Sequence, residues 1–373
     1  MPKLLYANSI HDSDMFYAVR VEIPDPFFYI DTGTHQYVFL DHREYGVFQE
    51  HNKNKHIQLV LLNPLLEEAA KRSESGNTVN KLALLLIERY GLAKETIEVP
   101  ATFPLDIADF LRAQGIQLTP TRTLFPQRLI KTKEEAEAIR EALKRTHQAF
   151  RTIEELLRTA TIQGDELVCA GTVLTSEYVK AQVEQVMLEE NLLNTEGLII
   201  SCGPQAAIPH HQGRGPLRPN QTIVCDIFPR HRASGYFADM TRTYVKGTPT
   251  PKAIEMYDAV LEAQTAAIAL VAPGVKFADV HQKCVDILLA RGFHVGERGF
   301  THGTGHGLGL DIHEQPYVSR GQEGALEEGQ VVTIEPGLYY PEWGGVRLED
   351  VVRVTKNGCE NLTNYPKKFI VGD

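Results

Sequence analysis

Thr301-His302-Gly303-Thr304-Gly305-His306-Gly307-Leu308-Gly309-Leu310-Asp311-Ile312-His313-Glu314 packs three histidines and four glycines into fourteen residues. Glycine at that density disfavours a helix, since each costs about 1 kcal/mol there relative to Ala. That argues against a zinc-binding helix with two His one turn apart, and for an extended or looped segment. Along a strand, residues an even number apart share a face, so His302 and His306 are expected to project together. Glycine lets a substrate or a second backbone come close. Histidine is both the commonest metal ligand and a frequent general acid or base. The competing reading is a Gly-rich turn with surface histidines.

Working outward, Thr250-Pro251 opens a helix predicted to reach about residue 271, with Pro at its first position. A second helix is predicted over 277–291, stopped by Gly292. Strands are predicted around 302–313, 330–340 and 346–355. The same order occurs earlier in the chain. Thr132 and Glu135 form a capping box for a helix with Ile139, Leu143, Thr146, Phe150, Ile153 and Leu157 at three-to-four spacing. A second helix follows over 176–190, then strand-like runs at 197–202, 222–228 and 235–244. Residues 132–246 and 250–355 therefore both read helix, helix, strand, strand, strand. Two such halves would pack their sheets together and leave a cleft at a pseudo-two-fold.

Residues 1–125 mix strand and helix signals. A hairpin is expected at 27–40 about Thr32-Gly33-Thr34, a buried strand at 57–62, and helices after Asn77 and Pro104. These suggest a small α/β domain ahead of a larger one at 126–373, with the linker near Pro120 and Pro126. At 373 residues, two domains are the natural expectation. A net charge of −10 argues against a nucleic-acid partner and for a soluble enzyme. No apolar run approaches the ~20 residues of a membrane span, and the N-terminus lacks a secretory apolar region. Cys169, Cys202, Cys225, Cys284 and Cys359 are widely spaced and read as free thiols of a reducing cytosol. His11, Asp12 and Asp14 read as a solvated turn.

Four acids lie inside or beside β-type apolar runs: Asp226, Asp239, Glu335 and Glu349. Burying ionised carboxylates is expensive unless a cation compensates. Together with the glycine-flanked His306 they point to a metal site.

The order Asp226, Asp239, His306, Glu335, Glu349 resembles the dinuclear centre of the pita-bread metallopeptidases, which include methionine aminopeptidase, aminopeptidase P and prolidase. His302-Gly303-Thr304-Gly305-His306-Gly307, Glu335-Pro336-Gly337-Leu338-Tyr339 and Arg347-Leu348-Glu349-Asp350 are similar to the aminopeptidase P and prolidase branch. Methionine aminopeptidases usually carry a Gln where Arg347 stands. Residues 1–125 resemble the creatinase-type N-terminal domain of that branch. The expected fold is thus α/β, a small α/β domain followed by a pita-bread domain.

The resemblance implies two divalent metal ions. Asp226 would hold one and His306 the other, with Glu335 on the His side and Asp239 and Glu349 bridging. Such a pair would supply a bridging hydroxide as nucleophile. The donor set suits Mn²⁺, the metal expected here, as well as Co²⁺, Fe²⁺ or Zn²⁺. Glu335 would also carry a proton to the leaving nitrogen. His313 would bind the substrate carbonyl, although its odd spacing from His306 requires a bulge at Gly307 or Gly309. His210 would be the second pocket histidine, with the adjacent His211 as the alternative. His302 and Arg347 would hold the ligands from behind. The implied activity is hydrolysis of the N-terminal Xaa-Pro bond of short proline-containing peptides by a cytoplasmic homodimer, with Xaa-Pro dipeptidase as the alternative. A non-catalytic pita-bread protein-binding module is the reading from another class, and a creatinase-like amidinohydrolase a further one. Asp226 and Asp239 are thirteen apart, two more than the family usually shows. Arg230 and Arg232 in this longer connection would either clamp a peptide carboxylate or be solvated loop charges.

Overall fold

The computed structural model describes residues 1–372. The chain divides into two compact units, Met1–Pro126 and a second starting at Gln127. In the first, a six-stranded sheet has the order Ile57–Leu61, Gln36–Leu40, Phe27–Asp31, Lys3–Ala7, Thr96–Pro100, Gln117–Thr121. Alternate residues feed opposite faces, as the pleat dictates. Leu4, Phe28 and Ile30 pack with the helix Thr78–Arg89, while Leu5, Tyr29 and Val38 pack with the helix Ser13–Val19. Asp12 caps that last helix by accepting from the Met15 N–H.

The second unit contains both predicted halves. The first half has helices Lys133–Thr159 and Ser176–Glu189 and an antiparallel sheet Ile199–Cys202, Ile223–Ile227, Met240–Tyr244. A short meander, Thr161–Gln163, Glu166–Cys169 and Thr172–Val173, lies between the helices and carries no periodic signal long enough to read. The second half has helices Pro251–Leu270 and Phe277–Ala290 over a five-stranded sheet. Its order is Glu314–Val318, Gly305–Gly307, Val331–Ile334, Asp350–Thr355, Gly358–Asn361. Each half has its own apolar core. Phe150, Ile153, Leu157, Val179 and Val183 meet Ile200, Cys225 and Ile227 in one. Met256, Val260, Ala263 and Cys284 meet Val332, Ile334 and Val352 in the other.

The strands of the second half are shorter than their apolar runs suggest. The run 330–340 splits into Val331–Ile334 and Gly337–Tyr340, and 346–355 splits into Gly344–Arg347 and Asp350–Thr355. The breaks fall at Glu335-Pro336 and Leu348-Glu349. Pro336 has no N–H for a ladder. Glu335 and Glu349 turn their own N–H groups to other chain segments, the carbonyls of Thr304 and Thr241.

The halves join along a polar seam. The Thr243 hydroxyl donates to the Arg347 carbonyl and accepts from the Arg347 N–H. Arg242 is fully buried and donates to the carbonyls of Thr241, Glu349, Tyr365 and Pro366 and to the Asp350 carboxylate. Those bonds occupy the guanidinium's five N–H donors.

The capping box gives a stability test. The Glu135 N–H donates to the Thr132 hydroxyl and the Thr132 N–H donates to the Glu135 carboxylate. Thr132→Ala is expected to destabilise the protein by about 1 kcal/mol, read as a lower denaturation midpoint. A midpoint unchanged from wild type would show that the box adds nothing to the helix.

Candidate metal centre

Asp226 stands on the strand Ile223–Ile227, in register with Ile199 on one side and Thr241 on the other. Asp239 immediately precedes the strand Met240–Tyr244. These two acids come from the first half, and His306, Glu335 and Glu349 from the second. His306 sits between two glycines because strands crowd it on both sides. A Cβ at Gly305 would lie 1.9 Å from the Thr333 carbonyl oxygen, and one at Gly307 would lie 2.3 Å from that of Gln315.

The side chains converge. The His306 Nε2 is 3.2 Å from Glu335 Oε1 and 3.7 Å from Asp239 Oδ2. Asp239, His306 and Glu349 each offer a ligand atom, and these atoms lie within 4.8 Å of one another. The Thr241 hydroxyl donates to Glu349 at 2.8 Å, and that of Thr333 to Glu335 at 3.2 Å. Arg347 donates to Asp226 Oδ2 at 2.7 Å. The other Asp226 oxygen, Oδ1, is buried without a protein partner. Such an orphan is costly unless something else satisfies it, and a cation at this place would do so. Four carboxylates and an imidazole form a hard donor set for divalent metals, so these residues fit the metal site expected of them.

The electrostatics follow from burial. It pushes Asp239 well above the usual carboxylate range, and the charge of Asp226 adds to the effect. Burial likewise raises Glu349, and the like charge of Asp239 adds to the effect. For Glu335 burial works upward too, but its bond to His306 and the His306 charge win and bring it down to about 2. Burial opposes the charged form of His306, yet the Glu335 bond and the charges of Glu335 and Asp239 raise it to about 9. Burial thus favours the neutral forms of Asp239 and Glu349, and the Glu335 contact favours the charged form of His306.

A cavity of about 610 Å³ opens onto these groups. His210, His302, His306 and His313 line it, with Phe228, Ile312 and Tyr317 on its apolar side. His211 is turned away from it and accepts from the Gly213 N–H. The strand register shifts between His306 and Gly307, which swings the following turn back, so that the His306 and His313 rings lie 4.4 Å apart. Burial lowers the pKa of His313, and the neighbouring His306 lowers it further.

Behind the cluster runs a chain of hydrogen bonds. Arg347 donates to the Tyr339 hydroxyl at 2.9 Å, and that hydroxyl is 2.9 Å from His302 Nε2. The His302 Nδ1 faces the Gly303 carbonyl at 2.7 Å. With Arg347 donating, Tyr339 donates to His302, which is then neutral with its proton on Nδ1. Burial lowers the pKa of His302 accordingly. His302 and His306 both reach the cavity, but only His306 lies on a strand. Tyr339, Thr241 and Thr333 were not singled out in the sequence. Tyr339 stands inside the Glu335–Tyr339 motif, whereas the threonines carry no mark of their own.

The longer connection between Asp226 and Asp239 is more than a wide turn. Its strand Arg230–His231 pairs with Leu192–Leu193, and Arg230 bridges back to Phe237. Arg230 is buried and donates to the Gly235 carbonyl, and Arg232 is exposed. Neither lines the cavity, so the carboxylate-clamp reading of these two residues does not hold.

Two α/β halves closing over four recessed carboxylates and an imidazole define a pita-bread metallohydrolase. Residues 137–356 match metallopeptidase family M24, and the chain belongs to that family. It is 32% identical over 300 residues to the Xaa-Pro dipeptidase of Pyrococcus horikoshii, covering 75% of this chain and 83% of that one. Among solved structures, the prolidase from Pyrococcus furiosus superposes with a TM-score of 0.77 at 26% identity, covering 98% of this chain and 97% of that one. The X-Pro aminopeptidase from Thermotoga maritima shares the fold, with a TM-score of 0.78 at 22% identity over 99% of this chain and 97% of that one. Among the described residues no helix is long and apolar enough to cross a membrane.

A metal held by His306 would displace the proton that the Glu335 contact favours there. Loading is therefore expected to release at least one proton per chain near neutral pH, and metal affinity to rise with pH up to about 9. Calorimetric titration of Mn²⁺ in buffers of different ionisation enthalpy measures the release. Heats independent of the buffer would contradict the protonated metal-free cluster.

Proposed function

We propose that this chain hydrolyses the bond between an N-terminal residue and proline in short peptides, as a dinuclear-metal aminopeptidase. The observation that carries the reading is the convergence of Asp226, Asp239, His306, Glu335 and Glu349 beside a cavity whose wall presents His210 and His313. The names of the relatives, Xaa-Pro dipeptidase and prolidase, support proline as the residue after the cleaved bond. Asp226, Asp239, His306, Glu335 and Glu349 would hold the metals, with Mn²⁺ the proposed pair. When bound, two divalent cations supply a hydroxide nucleophile at neutral pH and polarise the scissile carbonyl.

The remaining work falls to protein groups. His313, with His210 as its counterpart on the wall, donates to the carbonyl oxygen as negative charge develops there. Glu335 would carry a proton to the leaving proline nitrogen. Arg347 orients Asp226 through its bond to Oδ2. Residues 1–125 are proposed to be a creatinase-type domain contributing to a homodimer, and the compartment to be cytoplasmic.

The dipeptidase reading is favoured by the relatives' names, and it needs a cation for the free carboxylate that follows proline. Among the described residues lining the cavity, the only Lys or Arg is Arg347. Its guanidinium is already engaged by Asp226, Thr241, Tyr339 and the Pro209 carbonyl. Ala-Pro-Ala is therefore expected to be cleaved at least as well as Ala-Pro, read as kcat/KM with Mn²⁺ present. A preference of about tenfold for the dipeptide, ~1.4 kcal/mol in transition-state binding, would establish the dipeptidase instead. No hydrolysis of either peptide by metal-loaded protein would leave the binding-module reading.

The two histidines separate by role. His313→Ala is expected to lower kcat by about 10² to 10³ with metal content kept, whereas His306→Ala loses metal. Elemental analysis of both variants decides, and equal metal loss would undo the division between ligand and pocket residue.

A further inference from the structure

The turn that delivers His313 to the cavity is held by a buried charge cluster that the chemistry above does not use. Glu314 follows His313 and is 7% exposed. One of its oxygens accepts from the N–H groups of Leu310 and Asp311, at 2.9 and 3.1 Å, closing the turn on itself. The same oxygen accepts from Arg128 at 2.5 Å, and the other accepts from Lys131 at 2.9 Å. Arg128 also reaches Asp311 at 2.7 Å, so one guanidinium grips both ends of the segment 311–314. Lys131 is itself buried and anchored to the Arg128 carbonyl.

Two further contacts make this arrangement specific. A Cβ at Gly309 would stand 2.7 Å from both Glu314 carboxylate oxygens, so the carboxylate can lie against the turn only because Gly309 has no side chain. The Gly309 carbonyl accepts from the Phe237 N–H at 2.9 Å, two residues before Asp239. The turn is thus tied to the connection that carries a proposed metal ligand. The two cations hold the Glu314 carboxyl below its usual range although burial works against them.

We infer that Arg128, Lys131 and Glu314 are positioning residues that set the placement of His313 over the reacting carbonyl, an inference that rests on the proposed role of His313. A donor displaced by about an ångström loses much of its catalytic value, on the order of 10²-fold. Neutralising the carboxylate or removing the guanidinium frees the turn while leaving the five proposed ligands in place.

A double-mutant cycle tests this on metal-loaded full-length protein with Ala-Pro-Ala as substrate. Glu314→Gln and Arg128→Gln are each expected to lower kcat about 10- to 100-fold, with metal content unchanged and with Arg128→Lys recovering part of the loss. In a His313→Ala background the same substitutions are expected to cost almost nothing more, because groups acting through one residue are non-additive. The same loss in both backgrounds, or a full kcat in the single variants, would overturn the inference while leaving the role of His313 intact. A full kcat in His313→Ala alone would remove that role and the inference with it. If Glu314→Gln does not fold, the Arg128 pair carries the cycle, since Arg128 lies at the cluster's more exposed edge.

Discussion

Four carboxylates facing one another away from water set the terms for the rest of this structure. Each ionised carboxylate loses hydration on burial, and each raises the cost of charging the next. The protein meets this cost at different points in different ways. Arg347 neutralises Asp226. His306 as imidazolium neutralises Glu335. For Asp239 and Glu349 burial wins and raises both carboxyls well above their usual range. Burial thus favours protons on the cluster, with which a divalent cation would compete.

The backbone around the cluster is shaped by the same demand. Glycine loses more freedom on folding than other residues and weakens a strand interior. Gly305 and Gly307 nevertheless flank His306, because the carbonyls of Thr333 and Gln315 pass where their Cβ atoms would be. Close packing of strands on both sides leaves the imidazole little freedom. Glu335 and Glu349 lie where strands break, so their backbone N–H groups can cross to Thr304 and Thr241. Arg242 fixes the Glu349 carbonyl and the Asp350 carboxylate together. Asp350 is held in turn by Asn361 and Lys367.

How much of this was legible in the sequence follows from the range over which each signal acts. The helices announced themselves through local chemistry: Thr132 with Glu135, Pro251 behind Thr250, and apolar residues at three-to-four spacing. The residues of the proposed metal cluster were legible as acids embedded in apolar runs, together with a histidine between glycines. What pairs with what was not legible. The partners of Arg242, Arg347 and Arg128 lie 108, 121 and 186 residues away, and a guanidinium's type says nothing about which distant carboxylate it meets. The orientation of His313 depended on a register shift that an ideal two-residue period does not contain. Arg230, polar and in a connection, gave no sign of being buried, because the strand it forms pairs with the two-residue strand Leu192–Leu193.

The division of the cluster between the halves has a consequence for assembly. Asp226 and Asp239 belong to the sheet Ile199–Cys202, Ile223–Ile227, Met240–Tyr244, and His306, Glu335 and Glu349 to the strands of the second half. Neither half alone brings more than three of the five together. Each half has its own apolar core, the first completed by Val371 from the end of the chain, so hydrophobic burial by itself drives two separate collapses. The seam between them is polar, made of Thr241, Arg242, Thr243, Arg347, Glu349 and Asp350. Such groups add little net free energy when paired but cost much when left unpaired. The seam therefore specifies how the halves meet more than it drives them to meet. A cation shared by the proposed ligands from both sides would supply the missing drive, because a preformed site does not exist in the unfolded chain and binding free energy becomes folding free energy. Metal occupancy and closure of the halves would in this way be one equilibrium, coupled where the orphaned oxygen of Asp226 faces the cluster.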